Sequence, residues 1–251
     1  MDDAESVQSG DAVVHAMPWS SERLLRNVSA DDIKLSLQER RASEGLLWRS
    51  ICSEHDARHF FRELITVGPK LPWKMQDFLA KWFADEVNHA RGFKILYEKL
   101  YRLPREAIEE RLATRPIDFS HLVEFFGSLF AVCILFAYDE LVTTHVYERS
   151  AGFFKQWGVP AVTEWGRKLV HDEASHYRAL MSIMREYCAD QATLAEGLLI
   201  RVIDVDLAQA DYHGTFVLDH TCPEFPFNRA ELVTISQRAI VSGLGGGTVR
   251  G

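Results

Sequence analysis

Cysteine is scarce in this chain: four residues in 251, at Cys52, Cys133, Cys188 and Cys222. Their positions show no paired spacing, so free thiols and a reducing cytoplasm are the expectation. Positive charge is also short. Lys and Arg number 28 against 36 Asp and Glu, a formal charge of −8, which argues against nucleic acid as a partner. No basic-plus-apolar secretory pattern occurs in the first 30 residues, which are polar and mixed, so no export is expected. Apolar runs such as Leu129 to Leu141 stop short of a membrane span, and no membrane partner is expected. Flavin, haem and iron–sulfur motifs are missing too.

What remains is helical. Alternating β-branched runs are few and long segments repeat apolar residues every 3.6 positions, so the fold class is all-α. With 47% apolar content the chain can bury one good-sized core, and it reads as a single domain. The pattern predicts helices at 34–66, 73–101, 104–113, 119–150, 160–188, 191–217 and 228–242. A connector of about 16 residues between the second and third long helices can cross the end of a bundle. Residues 1–33 read as a flexible N-terminal segment, 34–242 as the bundle, and 243–251 as a flexible Gly-rich tail.

Within this frame Asp-Glu-x-x-His occurs twice, at Asp85–His89 and at Asp172–His176. Each copy lies on a long helix, so Glu and His three apart project from one face. At average composition such a pattern fits about one five-residue window in ten thousand. Two copies therefore point to design, and two Glu-x-x-His pairs are what a bundle uses to hold two metal ions. Such a site needs one more carboxylate from each of two other helices. Glu54 precedes Glu86 by 32 residues (86 − 54) and Glu140 precedes Glu173 by 33 (173 − 140), making two near-equivalent helical hairpins.

Other acids compete for these two roles. Leu47, Ile51, Glu54, Phe61 and Ile65 are assigned to one face, from which Glu63 and Asp56 point roughly 180° and 160° away. Glu44 shares the quadrant of Glu54 but stands almost three turns too far from the loop. On the third helix Phe126, Phe130, Cys133 and Ala137 lead to Glu140, while Glu148 lies about two turns nearer the loop. Glu140 is preferred because its surroundings are apolar almost all round, and a buried carboxylate must be paired or bind metal. Alone, Glu-x-x-His on a helix is usually a solvated face. Asp85 and Asp172 each precede a motif His by four residues and are expected as outer partners of the imidazoles, on their own helix or a neighbouring one.

Four carboxylates and two imidazoles without thiolate suit iron or manganese. The constellation resembles the ferritin-like non-haem di-iron superfamily, over about Lys34 to Tyr187. That resemblance implies a ferritin-like four-helix bundle with extra C-terminal helices. It makes Glu54, Glu86, His89, Glu140, Glu173 and His176 the metal ligands, with Glu86 and Glu173 bridging. It also implies two Fe ions, or an Mn/Fe pair, and electrons from an external donor such as a ferredoxin or reductase. Ribonucleotide reductase small subunits carry a radical Tyr where this chain has Phe93. Several oxygen-activating members carry a Thr one turn after the third-helix Glu, which makes Thr144 a candidate catalytic residue; a hydroxyl bonded back to its own helix is the competing reading. Glu86 to Phe93 and Lys168 to Tyr177 are similar to stretches of aldehyde-deformylating oxygenases, although the third-helix Glu spacing differs. Single-component N-oxygenases carry extra His ligands. His171 is read as a non-ligand, His55 as a packing residue, and His213 and His220 as lying on a later helix without supporting spacing. Arg58 is placed to pair with Glu54.

The function expected is oxidation of a small organic substrate by O2, with a homodimer compatible. The alternative is a ferritin- or rubrerythrin-like protein that oxidises iron or consumes peroxide. A scaffold subunit would need degenerate ligands, and a zinc hydrolase is not supported.

Overall fold

The computed structural model describes residues 19–208, 220 and 226–245. Among these residues all regular structure is helical, as the periodicity predicts. The helices, numbered in chain order, are α1 (Ser21–Leu25), α2 (Leu37–Val67), α3 (Trp73–Tyr101), α4 (Arg105–Ala113), α5 (Leu129–Gln156), α6 (Pro160–Tyr187), α7 (Ala195–Ala208), α8 (Arg229–Ser236) and α9 (Ser242–Gly245). A π turn (Gln237–Val241) joins the last two.

Local chemistry sets the boundaries. Ser36 and Glu39 form a capping box, so α2 starts at Leu37 rather than 34. Gly68 and Pro69 end it, and Pro72 precedes α3. The sequence places the third long helix from 119, but α5 begins ten residues later. Ser128 is extended (φ −152°, ψ 156°) and its side chain accepts from Ala131 N–H, which fixes the start there. Ser120–Gly127 is a 3₁₀ segment instead. The crossover therefore runs from 102 to 128 and carries α4. Pro160 occupies the first turn of α6, where its missing N–H costs nothing.

Helix α2 packs on α3 and α5 on α6, and the two hairpins meet through α3 and α6. By length and composition α5 alone among the described helices could cross a membrane, contrary to the short-run reading. Yet 78% of its most apolar window is buried inside the bundle, as in a core helix. The apolar side chains form two clusters. One contains Phe60, Leu64, Phe78, Trp82, Phe130, Phe136 and Leu180. The other contains Leu47, Ile51, Phe93, Leu96, Trp157, Trp165 and Leu169. The α2 stripe runs through Leu47, Ile51, Glu54, Ala57, Phe60 and Leu64, whereas Ile65 is 60% exposed. After Glu54 the buried stripe advances by three, three and four residues and so winds round the helix, whereas Ile65 keeps nearly the direction of Glu54 and is left outside the core.

Parts of two segments expected to be flexible are packed among the described residues. Residues 19–33 contribute buried Leu25, Val28 and Ile33. Ser21 donates from its N–H and its hydroxyl to Asn88 (2.8 and 2.7 Å), and Trp165 Nε1 donates to Ser21 Oγ (2.9 Å). This docking needs Gly92, since a Cβ there would lie 2.3 Å from Trp165 Nε1. Polar composition hid the segment because a few apolar anchors suffice to tie it down. At the other end, α9 holds residues 242–245, and Arg185 donates to the Gly243 carbonyl (3.2 and 3.1 Å). Residues 1–18, His213, Cys222 and 246–251 lie outside the described residues. The helix predicted at 191–217 is described only as far as Ala208, after a 3₁₀ turn at Ala189–Leu194. Cys52, Cys133 and Cys188 are buried.

Candidate metal centre

Between the two apolar clusters lies a polar layer supplied by all four long helices. Glu54 comes from α2, Glu86 and His89 from α3, Glu140 from α5, and Glu173 and His176 from α6. None is more than 4% exposed. Every one of the six residues singled out by spacing is in this layer.

The six form two overlapping groups, Glu54/Glu86/His89/Glu173 and Glu86/Glu140/Glu173/His176. In each group one donor atom per residue lies within 4.8 Å of the others, close enough to hold a metal ion. Glu86 and Glu173 belong to both. In the first group Glu54 Oε2, Glu86 Oε1, His89 Nδ1 and Glu173 Oε1 are buried and make no hydrogen bond. His89 Nδ1 lies 3.2 Å from Glu173 Oε1 and 3.5 Å from Glu54 Oε2, a charge contact rather than a directed bond. In the second group His176 Nδ1 sits 3.0 Å from Glu140 Oε2, 3.3 Å from Glu173 Oε2 and 3.7 Å from Glu86 Oε1. One N–H stands among three carboxylates, where a cation would satisfy them all.

The outer nitrogens are held across the bundle. His89 Nε2 pairs with Asp172 (3.2 Å) and His176 Nε2 with Asp85 (3.0 Å). The two Asp are thus outer partners as expected, on the neighbouring helix rather than one turn away. Each Asp is itself fixed, Asp172 by Trp19 Nε1 (2.8 Å) and Asp85 by Lys81 Nζ (2.6 Å). Burial pushes both acids up, but the imidazole and donor beside each outweigh it and hold them below the usual carboxylate range. An acid beyond an imidazole fixes its tautomer and leaves Nδ1 for the centre.

The electrostatics call for a cation. Among the described residues no Lys or Arg pairs with any of the four Glu. Burial, reinforced by the other Glu side chains, drives Glu86 well above the usual range. Burial also raises Glu140, to about 8. Burial opposes charge on both imidazoles too, yet Glu173 beside His89 and Glu140 beside His176 raise them. Glu173, between the two imidazoles, is held low despite its burial. Without metal the cluster is balanced by protons. Two divalent ions would balance four carboxylates, and hard oxygen donors with imidazole suit iron or manganese. The residues fit such a pair.

The competing acids lie elsewhere. Glu148 is exposed and faces His145 (3.2 Å). Asp56 is buried and paired with Arg115 (2.8 Å). Glu44 accepts from Tyr97 (3.1 Å) at the surface. Arg58 bonds His55 (2.9 Å) rather than Glu54. His171 is 74% exposed. His220 lies in a turn, with Asp206 at 2.8 Å and Asp139 at 3.5 Å. A third His/Asp group, His55/Asp56/His59, includes a His-x-x-x-His pair that the sequence reading overlooked. Arg58 and Lys94 crowd His55, at 2.9 and 3.1 Å, and Arg115 takes Asp56, so cations already fill that group. Thr144 is buried one turn from Glu140, and its hydroxyl donates to the Glu140 carbonyl (2.7 Å). Its proton is directed to its own helix, not to the centre.

Three contacts escaped sequence reading. Tyr147 donates its hydroxyl to Glu54 Oε1 in a very short bond. Trp82 donates Nε1–H to Glu140 Oε1 (2.7 Å). Trp19 reaches Asp172 from the N-terminal segment. Spacing carried a signal for two of them: Tyr147 is two turns beyond Glu140 and Trp82 one turn before Glu86. Nothing marked Trp19.

No family model, curated protein or solved structure matches this chain. What the fold and site define is an all-α protein with buried Glu/His clusters able to hold metal.

Proposed function

We propose that this chain is a ferritin-like non-haem di-iron oxidoreductase that uses O2 to oxidise a small organic substrate. One observation carries the reading: two ligand groups that overlap in Glu86 and Glu173, at the level where four long helices meet. A pair of ions sharing two carboxylates is the arrangement used by di-iron carboxylate bundles. Glu54 and His89 would hold one ion, Glu140 and His176 the other. Iron bound there supplies the binding and reduction of dioxygen.

The chain's own part is to orient and to exclude water. Trp82 and Tyr147 each occupy one oxygen of an outer Glu, leaving the second oxygen for an ion. Asp172 and Asp85 turn the two imidazoles inward. Phe136 meets Trp82 edge-on (5.1 Å between centroids) and keeps the Glu140 side dry. Electrons would come from an outside donor such as a ferredoxin or reductase.

A second reading is favoured by the size of the cavity beside Tyr147. At about 30 Å³ it admits a water-sized molecule, not an organic substrate. On that reading the protein oxidises ferrous iron or consumes peroxide. Anaerobic ferrous loading, metal analysis and optical spectra after mixing with O2 test both. Two irons per chain with oxygen-dependent absorption changes support the metal reading. A rate altered by an organic compound favours the oxygenase, and indifference to every compound favours the alternative. Absence of stoichiometric metal refutes both.

A further inference from the structure

The two ends of the candidate centre differ in access. A cavity of about 30 Å³ is lined by Leu46, Arg49, Ser50, Ser53, Thr143, Val146, Tyr147 and His220. It lies on the Glu54 side: Ser50 stands one turn before Glu54 on α2, and Tyr147 is both a wall of the cavity and the donor to Glu54 Oε1. Most of the lining groups are polar, as a space that holds water or a small anion requires. On the opposite side Trp82 bonds Glu140 from within the apolar cluster, fully buried against Phe136.

We infer that small polar molecules reach the centre from the Glu54 side, through the cavity walled by Tyr147, and that Tyr147 holds the adjoining metal position open to them. The inference rests on the dimetal reading above. The positioning role follows from the Glu54 carboxylate. With Oε1 engaged by the phenol, only the buried and otherwise unbonded Oε2 is left to face the other donors. A carboxylate free to use both oxygens would close over the ion and fill the place of an incoming ligand. Trp82 imposes the same restraint on Glu140, from within the apolar cluster and edge-on to Phe136. The ligand class is a small polar molecule or anion: water, peroxide or a linear anion entering end-on.

Sodium azide is the probe, titrated into full-length protein loaded with ferrous iron and oxidised in air, with azide-dependent absorption as the readout and metal content measured in parallel. Ser50→Leu narrows the cavity and should weaken azide binding at least tenfold with two irons per chain retained. Leu46→Phe narrows the same α2 wall one turn earlier if Ser50→Leu does not fold. Tyr147→Phe frees Glu54 Oε1 and should weaken azide binding severalfold and shift the band, whereas Glu148→Gln, at an exposed acid that faces His145, should leave azide affinity unchanged. Wild-type affinity in both Ser50→Leu and Tyr147→Phe, or equal weakening by Glu148→Gln, overturns the inference while the dimetal reading stands. A wild-type protein that binds no iron removes both.

Discussion

The Glu54/His89 and Glu140/His176 halves of the centre carry the same donors in different settings. In the first, a phenol bonds the outer Glu, and the outer Asp is held by an indole from the N-terminal segment. In the second, an indole bonds the Glu, and a lysine 45% exposed to solvent holds the Asp. The duplicated hairpins explain the likeness but not the difference. Counting seven residues from Glu140 reaches Tyr147, whereas seven from Glu54 reaches Phe61. Four residues before Glu86 is Trp82, and four before Glu173 is Leu169. Repetition fixes the inner donors, their Asp partners and a Lys four residues before each Asp, whereas Tyr147 and Trp82 stand where the other hairpin has Phe61 and Leu169, and Trp19 comes from outside both hairpins. Equal ligands thus sit in unequal fields.

The largest expected effect would erase the comparison. Glu173→Ala removes a donor common to both halves and should reduce bound metal to nearly none, read by metal analysis after desalting. Glu140→Ala, by contrast, should lose one ion and keep the other, and Glu54→Ala should do the same for the opposite half. Glu148→Ala serves as the control, and full loss of metal in that variant would sink the assignment on α5.

Outer partners come next. Asp172→Asn and Asp85→Asn should each weaken binding of one ion by about 10–100-fold, the usual cost of losing an acid beyond a metal-bound imidazole. Competition with a chelator measures the two affinities. The smaller step separates the halves further: Trp19→Phe should weaken only the His89 half, and Lys81→Met only the His176 half, each by less than its Asp variant. A variant that weakens both ions equally contradicts independent support.

A pH series probes the metal-free protein. Glu140 is raised to about 8 by burial, so the folded state holds a proton that the unfolded chain releases near the ordinary carboxylate value of 4.5. More protons bound in the folded state means stability falls with rising pH. This contribution is full below about pH 4.5 and lost as pH rises through about 8. The expected outcome is a falling melting temperature of apoprotein across that window, and a smaller fall in Glu140→Gln. Metal loading near neutral pH should release protons, detectable in weakly buffered solution.

The inner site was largely legible because its logic is local. Glu-x-x-His on one helix face needs no knowledge of neighbouring helices, and the Glu140 choice followed from an apolar stripe around it. Legibility declined with distance along the chain. The α5 start was misplaced by ten residues because an apolar 3₁₀ turn mimics a helix until Ser128 stops it. The Asp–His pairs were named without their crossed partners, because a four-residue offset and a contact between helices leave the same trace in sequence. Trp19 left no trace at all.

By itself, then, the sequence determined an all-α chain with two copies of one donor motif and two buried carboxylates to meet them. Helix propensity, caps and 3.6-residue periodicity act within a few turns. Which Asp serves which imidazole and which aromatic bonds which Glu were decided only when the four long helices packed together and the N-terminal segment docked over Gly92. Those are contacts between residues up to 153 positions apart, set by shape and burial rather than by any spacing along the chain.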